Sequence, residues 1–392
     1  MSTKQVIKAQ KFRFYPTKSQ EELLAKTFGA VRFFWNKRVE SFNNLNGPGF
    51  GSCSIKELKE VYPWLTEVSY NALEQKNQDC IATKKQYFSK TRKIKLGRPK
   101  FKSKHGKQSF RLSQNGYAVT ANGLKLAKLG FVKIRSSLNI QEIPNIKSVT
   151  VSKDGPRYFI TVLYTGIINA LPKTGRVCGI DLGLTHFYTD NQGMKLENPR
   201  FLIKSLESIK AVNRKLSKKI KGSRRFNKLK SRLNKLHYKV RCQREYFLQC
   251  ESTRLIKNYD TICIEDLSVK NMLQNKQLSK SISDVSWSMF TSLLKSKATW
   301  YDKEVITINK YYPSTRICSV CNYENFNLTL ADRDWLCPQC GSHHDRDHNA
   351  ARNILAKGLE IQSRQNTPTS KSSTKSRKMP VKRQKILMFE VE

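Results

Sequence analysis

The spacing of apolar side chains changes character several times along the chain, and each change predicts a different kind of element. Residues 4–15 (KQVIKAQKFRFY) alternate apolar and basic side chains, the period of a strand with one cationic face. Pro16 ends it, and Thr17 with Gln20 has the spacing of a capping box. Leu23, Leu24, Phe28, Val31, Phe34 and Trp35 then share one helical face, until Gly47, Pro48, Gly49 and Gly51 break the chain. Helices are predicted over 54–61 and 69–90, the second with Leu73, Cys80, Ile81, Tyr87 and Phe88 inward and Lys76, Lys84 and Lys85 on its polar side. A basic connector follows at 92–107, with Phe101 interleaved. From 108 to 168 short alternating runs are separated by turn signals at Asn115-Gly116, Asn122-Gly123 and Asp154-Gly155. That pattern predicts a small antiparallel sheet or barrel completed by the first strand.

The second half reads differently. Residues 176–190 predict a buried strand, a Gly-containing turn and another strand. Over 199–258 two leucine-rich stripes, Leu202, Leu206, Ile209, Leu216, Ile220 and Leu229, Leu233, Leu236, Val240, predict a hairpin of two helices divided at Gly222-Ser223, with one bent helix as the alternative. Strands are expected at 259–268 and 305–311, flanking an amphipathic helix at 284–302 that carries Trp287, Phe290, Leu293, Leu294 and Trp300. A last helix at 347–357 has Gly358 as its natural stop, and from Ser363 a Ser/Thr/Lys-rich stretch without periodicity predicts a disordered basic tail.

Charge narrows the function. The 392 residues hold 73 Lys and Arg against 30 Asp and Glu, a net +43, which repels itself in a compact body unless a polyanion neutralises it. A nucleic-acid partner is the first reading. With 38% hydrophobic residues the chain can still build a core. No run approaches the ~18–20 apolar residues of a membrane span, and no signal-peptide core is present, so a soluble cytoplasmic protein is expected, nucleoid-associated in a prokaryote.

Six cysteines, Cys53, Cys80, Cys178, Cys242, Cys250 and Cys263, are scattered singly and read as small buried hydrophobes in a reducing compartment. The other four form Cys318-x-x-Cys321 and Cys337-x-x-Cys340, the spacing of a zinc ribbon. Four thiolates close a tetrahedral site and leave no open position, so this Zn2+ is structural. His343 and His344 are expected at the surface or facing nucleic acid.

Three acids stand where packing alone would not put them. Asp181 and Glu265 each end a strand of buried type, and Asp347 starts the last helix, whose Ala350, Ala351, Ile354 and Leu355 form a packed face. Singly, each has an ordinary reading as a turn residue or a helix cap. Together, in so basic a chain, they can converge on two Mg2+ (or Mn2+) ions ~3.5–4 Å apart for in-line attack on a phosphodiester. Asp266, on the opposite strand face, is expected to pair with a Lys or Arg; Asp345 caps the last helix or holds a water of the metal site. The glycines around Asp181 match neither a P-loop nor a dinucleotide turn, and no tyrosine sits in a His-containing nucleophile motif.

GIDLGLTHF around Asp181, ICIEDL around Glu265, CSVC with CPQC, and HDRDHNAARNIL resemble the split RuvC nuclease domain and inserted zinc ribbon of the TnpB family, transposon-encoded RNA-guided nucleases related to type V CRISPR effectors. KFRFYPTKSQEELLAKTFGAVRFFWN resembles that family's opening strand and helix, and GRPKFKSK its basic connector. Asn322 replaces the family's usual Gly after the first cysteine pair, and Asn tolerates the left-handed geometry needed there.

The resemblance implies α/β together with all-β and helical parts. A small wedge β-barrel (1–15 and 108–170) would hold an inserted helical recognition lobe with the connector (16–107). An RNase H-like, RuvC nuclease domain (174–317 and 341–359) would carry the zinc ribbon (318–340), before the tail (360–392). It further implies catalysis by Asp181, Glu265 and Asp347, a guide RNA derived from the transposon end, and double-stranded target DNA cut beside a short transposon-adjacent motif by a monomeric ribonucleoprotein that touches no membrane. Lys210, Arg214, Lys218, Lys219, Arg224, Arg225, Lys228, Arg232 and Lys235 would give the helical hairpin a cationic face for guide and heteroduplex. Ser69, Asn71, Gln75 and Lys76 are candidates, by position, for reading the adjacent motif. Two other readings stand beside it: a transposase acting on transposon-end DNA with the same three acids, and a non-cleaving RNA-guided DNA-binding repressor.

Overall fold

The computed structural model describes residues 3–44, 54–89, 91, 96–121, 123–135, 139–329 and 331–366. The Gly47–Gly51 break, Cys53, Asn122, residues 92–95 of the connector and the tail from 367 lie outside them. The chain divides into two compact units, Gln5–Ile167 and a second beginning at Ile168. Among the described residues no helix is long and apolar enough to cross a membrane.

In the first unit β1 (Thr3–Phe14) leads into α1 (Lys18–Asn44) through the expected box: Thr17 N donates to Gln20 Oε1 (3.1 Å) and Gln20 N to Thr17 Oγ1 (3.3 Å). α2 (Ile55–Val61) and α3 (Tyr70–Tyr87) follow, then β2 (Gln108–Leu112), β3 (Tyr117–Thr120), β4 (Gly123–Leu126), β5 (Gly130–Phe131), β6 (Ile134–Arg135), β7 (Ile146–Asp154) and β8 (Arg157–Asn169). They form one sheet in the order β2-β7-β8-β1-β6 and a smaller one, β3-β4-β5. Backbone pairing leaves β2 and β6 as edges of the larger sheet. Helices and sheets share one core, in which Leu24, Phe28 and Leu73 meet Phe12, Phe110, Leu124 and Ile160, so the two segments that the sequence separates are packed as one body.

The sidedness of α3 differs from its pattern. Ile81 and Phe88 are exposed, whereas Lys76 is buried, bonded to Asp79 at 2.6 Å with its ammonium 5.9 Å from the Trp35 ring. The long stem of lysine lies along apolar surface while its head keeps a counter-charge.

The second unit is a five-stranded sheet with helices on both faces. Its strands are β9 (Val177–Leu182), β10 (His186–Asp190), β11 (Lys195–Glu197), β12 (Thr261–Glu265) and β13 (Glu304–Ile308), ordered β11-β10-β9-β12-β13. β12 is parallel to both β9 and β13, and β10 is antiparallel to β9. α4 (Phe201–Ser217) and α5 (Arg224–Asn258) form the hairpin, with Gly222 at φ 86° in the turn; Ile220, assigned to a stripe, is exposed there. α6 (Val269–Met272), α7 (Ser279–Val285) and α8 (Trp287–Tyr301) follow β12, and Phe290 of α8 stacks on Tyr188 with centroids 6.4 Å apart. The strands β14 (Asp334–Leu336) and β15 (His343–Asp345) belong to the ribbon, and α9 (Arg346–Asn366) crosses the other face of the sheet.

α9 runs past Gly358 to Asn366, so residues 360–366 belong to the helix and not to the tail. Gly358 is not a stop because its task is close approach: a Cβ there would lie 2.7 Å from the Cys263 Cβ in β12. Of the scattered cysteines described, Cys80, Cys178 and Cys263 are buried as expected, Cys242 is half-buried and Cys250 is exposed.

Candidate active site

Strand register brings the first two acids together. In the parallel pair β9/β12, Gly179 is opposite Cys263 and Ile180 opposite Ile264, so the next step sets Asp181 beside Glu265 on one face, on strands ~4.8 Å apart. That face is the one under α9, because Gly179, two residues before Asp181, lies beneath Ala351 and Leu355. Asp347 is one turn before Ala351 and therefore overhangs the strand ends. Asp345, not Asp347, caps α9: its Oδ1 accepts from His348 N (2.9 Å) and its Oδ2 pairs with Lys195 (2.6 Å). Asp347 is thus relieved of the capping role, and among the described residues its ion pairs are with Arg333 and Arg346, each at 3.7 Å.

Electrostatics report the same convergence. Burial, then the Glu265 and Asp347 carboxylates, push the Asp181 carboxyl up to about 8, with Arg346 opposing. Burial also raises Glu265, against a hydrogen bond donated by the Ser314 hydroxyl. A buried carboxyl held up by two neighbouring carboxylates is the environment that a divalent cation would relieve. Among the described residues only the four ribbon cysteines have ligand atoms all within 4.8 Å of one another. The three carboxylates do not form such a close group. Asp266 is exposed and, among the described residues, forms no ion pair, contrary to expectation; its backbone instead donates to Ile308 O (3.2 Å).

The ribbon's two knuckles are equivalent. Asn322 N donates to Cys318 O (3.0 Å) and Gly341 N to Cys337 O (2.9 Å), with φ of 64° and 70°, so asparagine takes the left-handed position that glycine fills in the second knuckle. Sγ–Sγ separations are 3.7 Å for Cys318–Cys340 and 3.5 Å for Cys321–Cys337. Thiolates at about 2.3 Å from a tetrahedral Zn2+ stand about 3.8 Å apart, so the set fits the ion. The Ser342 hydroxyl, 3.2 Å from Cys340 Sγ, helps hold that thiol down to about 6. His344 is a correction: it is buried, its Nε2 is 3.0 Å from Cys318 Sγ, and its ring packs on Trp335 at 4.7 Å. The β14/β15 register, pairing Trp335 with His344, turns it inward, whereas His343 is exposed.

The hairpin candidates Lys210, Arg214, Lys218, Arg224, Arg225 and Arg232 are all exposed; among the described residues Lys210 is the one of them in an ion pair, with Glu207 at 2.9 Å. Lys215, Lys218, Arg225, Lys228, Arg232 and Lys235 line a groove of about 750 Å³ between the two helices. The α3 candidates are placed otherwise. Ser69 and Lys76 are buried, Gln75 is half-buried, and Asn71 is committed to Ser113, donating to its Oγ (2.8 Å) and accepting from its N (2.9 Å). Sequence reasoning missed Ser314, Asn349 and Asn353. The available signal was two asparagines four apart within the packed face of α9.

The family model described as "Probable transposase" matches residues 148–276, one for a "Cas12f1-like, TNB domain" residues 287–354, and one for a "Helix-turn-helix domain" residues 1–41, a segment that folds here as a strand and one long helix. A Streptomyces pristinaespiralis protein named "Putative RNA-guided DNA endonuclease" is 34% identical over 95% of this chain and 96% of its own length. The Escherichia coli protein "Putative RNA-guided DNA endonuclease InsQ" is 26% identical over 91% and 93%, and the mimivirus "TnpB-like protein L79" 24% over 90% and 74%. The protein of a solved Cas12f1–sgRNA–target DNA complex shares the fold at 14% identity, with a TM-score of 0.53 over 90% of this chain and 99% of that one. An identity of 34% across nearly the full length of both chains, with a transposon-protein model over β7 to α6, makes this chain a member of the OrfB/TnpB family.

Proposed function

We propose that this chain is an RNA-guided DNA endonuclease: Asp181, Glu265 and Asp347 hold two Mg2+ (or Mn2+) ions, and target DNA is hydrolysed beside a short transposon-adjacent motif. The observation that carries the reading is the placement of three carboxylates at the ends of β9 and β12 and the start of α9, two of which raise the carboxyl of the third, Asp181. Bound divalent ions supply Lewis-acid polarisation of the phosphate and a nucleophilic water at neutral pH. The chain's part is positioning. β9 and β12 fix two carboxylates through backbone pairing, α9 supplies the third, and the neighbouring Arg346 and Arg333 offer cations to the phosphate oxygens.

Relatives named as RNA-guided DNA endonucleases support the RNA and DNA partners. So does the +43 charge, concentrated on a hairpin with no acid between Glu207 and Glu245. A guide held there by its backbone would leave sequence reading to base pairing. Glu265→Gln and Asp181→Ala test the catalytic assignment: cleavage is lost while RNA and target binding persist, because a missing ligand acts on the transition state more than on backbone contacts. A single variant cutting at the wild-type rate contradicts it.

A further inference from the structure

Glu265 has a neighbour whose placement is over-determined. Ser314 is 3% exposed and its hydroxyl donates to Glu265 Oε1. Two side chains of α9 fix the loop that carries it. Asn353 donates from Nδ2 to the carbonyl oxygens of Ser314 (2.8 Å) and Ile317 (2.6 Å). Asn349, one turn earlier, donates to Ile317 O (2.7 Å) and accepts from Ser319 N (2.9 Å). Both amides are buried, at 4% and 2% exposure, on a face otherwise made of Ala350, Ala351 and Ile354. Burying an amide is costly unless it is bonded, and here three of the bonds go to the segment between β13 and the first zinc cysteine and the fourth to Ser319, just after that cysteine. A carboxylate has about four lone-pair sites, and a single hydroxyl donor fixes its rotamer while leaving the others for cations.

We propose that Ser314 is a positioning residue for the metal centre: it holds the Glu265 carboxylate in the rotamer that shares a divalent cation with Asp181, and Asn349 and Asn353 hold Ser314 in turn. α9 thereby sets two of the three acids, Asp347 directly and Glu265 through the loop, and any slack in the first zinc knuckle reaches the metal site on this side. The inference rests on the reading of Glu265 as a ligand.

The test uses the ribonucleoprotein as purified, with Fe2+, ascorbate and peroxide. Fe2+ bound among the acids cuts the protein backbone nearby, so scission next to residues 181, 265 and 347 reports occupancy without requiring DNA cleavage. Ser314→Ala is expected to raise the Fe2+ needed for half-maximal scission, and the Mg2+ that competes it, by about 10- to 100-fold, the usual loss for a ligand's hydrogen-bond partner. Ser314→Thr, which keeps the hydroxyl, is expected to restore both. If Glu265→Gln abolishes local scission but Ser314→Ala leaves the Fe2+ and Mg2+ dependence unchanged, even with a lower melting temperature, the positioning role is overturned. If Glu265→Gln itself keeps wild-type scission, the ligand reading falls instead.

Discussion

Gly179 of β9 lies directly beneath Ala351 of α9: a Cβ at 179 would overlap the Ala351 carbonyl oxygen and stand 2.7 Å from Leu355 Cβ. The neighbours are helix backbone and a side-chain root, which cannot swing aside. This contact sets the height of α9 above the sheet, and with it the distance from Asp347 to Asp181.

Gly179→Ala is therefore expected to destabilise the second unit by at least about 1–3 kcal/mol, the usual cost of overpacking, and to remove cleavage. Thermal melting and a cleavage assay on the same preparation check it. Unchanged melting with full activity would mean that α9 is not seated as described.

Acid stability turns on Asp260, where the starts of three strands meet. Its carboxylate accepts from Lys303, Thr174 N (2.8 Å) and Gly175 N (2.7 Å), and its backbone bonds Arg176 and Glu304. Burial would raise its carboxyl, but these donors outweigh burial and hold it near 2, below the ordinary 3.8. A depressed folded-state value means that the contribution is complete above pH 3.8 and is lost as pH falls from there towards about 2. Lys303 is fully buried at its side chain, so Asp260→Asn leaves it without a counter-charge, at a cost of about 3–5 kcal/mol at neutral pH. Melting temperature against pH should show the variant lower at pH 7, with a flatter acid limb. Parallel wild-type and variant curves would remove Asp260 from the account.

One Zn2+ per chain is expected, and Cys337→Ser should release it. Only six residues separate Cys340 from Asp347. The loosened knuckle should therefore expose the start of α9 as well as the ribbon, which faster hydrogen exchange over 343–350 would show. Folded, active protein without zinc by elemental analysis would contradict the structural role.

Elements were legible in the sequence and their sidedness was less so. The capping box at Thr17, the division at Gly222 and the cysteine spacing are local signals, and each is where the pattern puts it. Asp181 and Glu265 were visible because a carboxylate interrupts an apolar run, and Asp347 because it stands at the start of a helix with a packed face. What brings Asp181 beside Glu265, however, is pairing between strands more than 80 residues apart, which no local period encodes. Gly358 reads as a helix stop by propensity, yet its missing side chain serves contact with Cys263. Lys76 and His344 read as surface groups by polarity; Lys76 keeps a counter-charge in Asp79, one turn on in the same helix, and the fold gives His344 a buried partner in Cys318. Ser314 had no signal of its own, since its importance comes from the residue it faces.

In the proposed function RNA chooses the cut and the three acids make it. The direct measurement is to mix the purified protein with two RNAs that differ only in their 3′ segment and to map cleavage on a DNA carrying both matching targets beside the same flanking motif, with Mg2+ present. Each RNA is expected to move the cut to its own match, Asp181→Ala to cut neither, and RNase-treated protein to lose the activity. RNase-treated protein that still cuts one fixed transposon-end site at full rate would contradict this reading and favour the transposase, and guided binding without cleavage by the wild-type protein would favour the repressor.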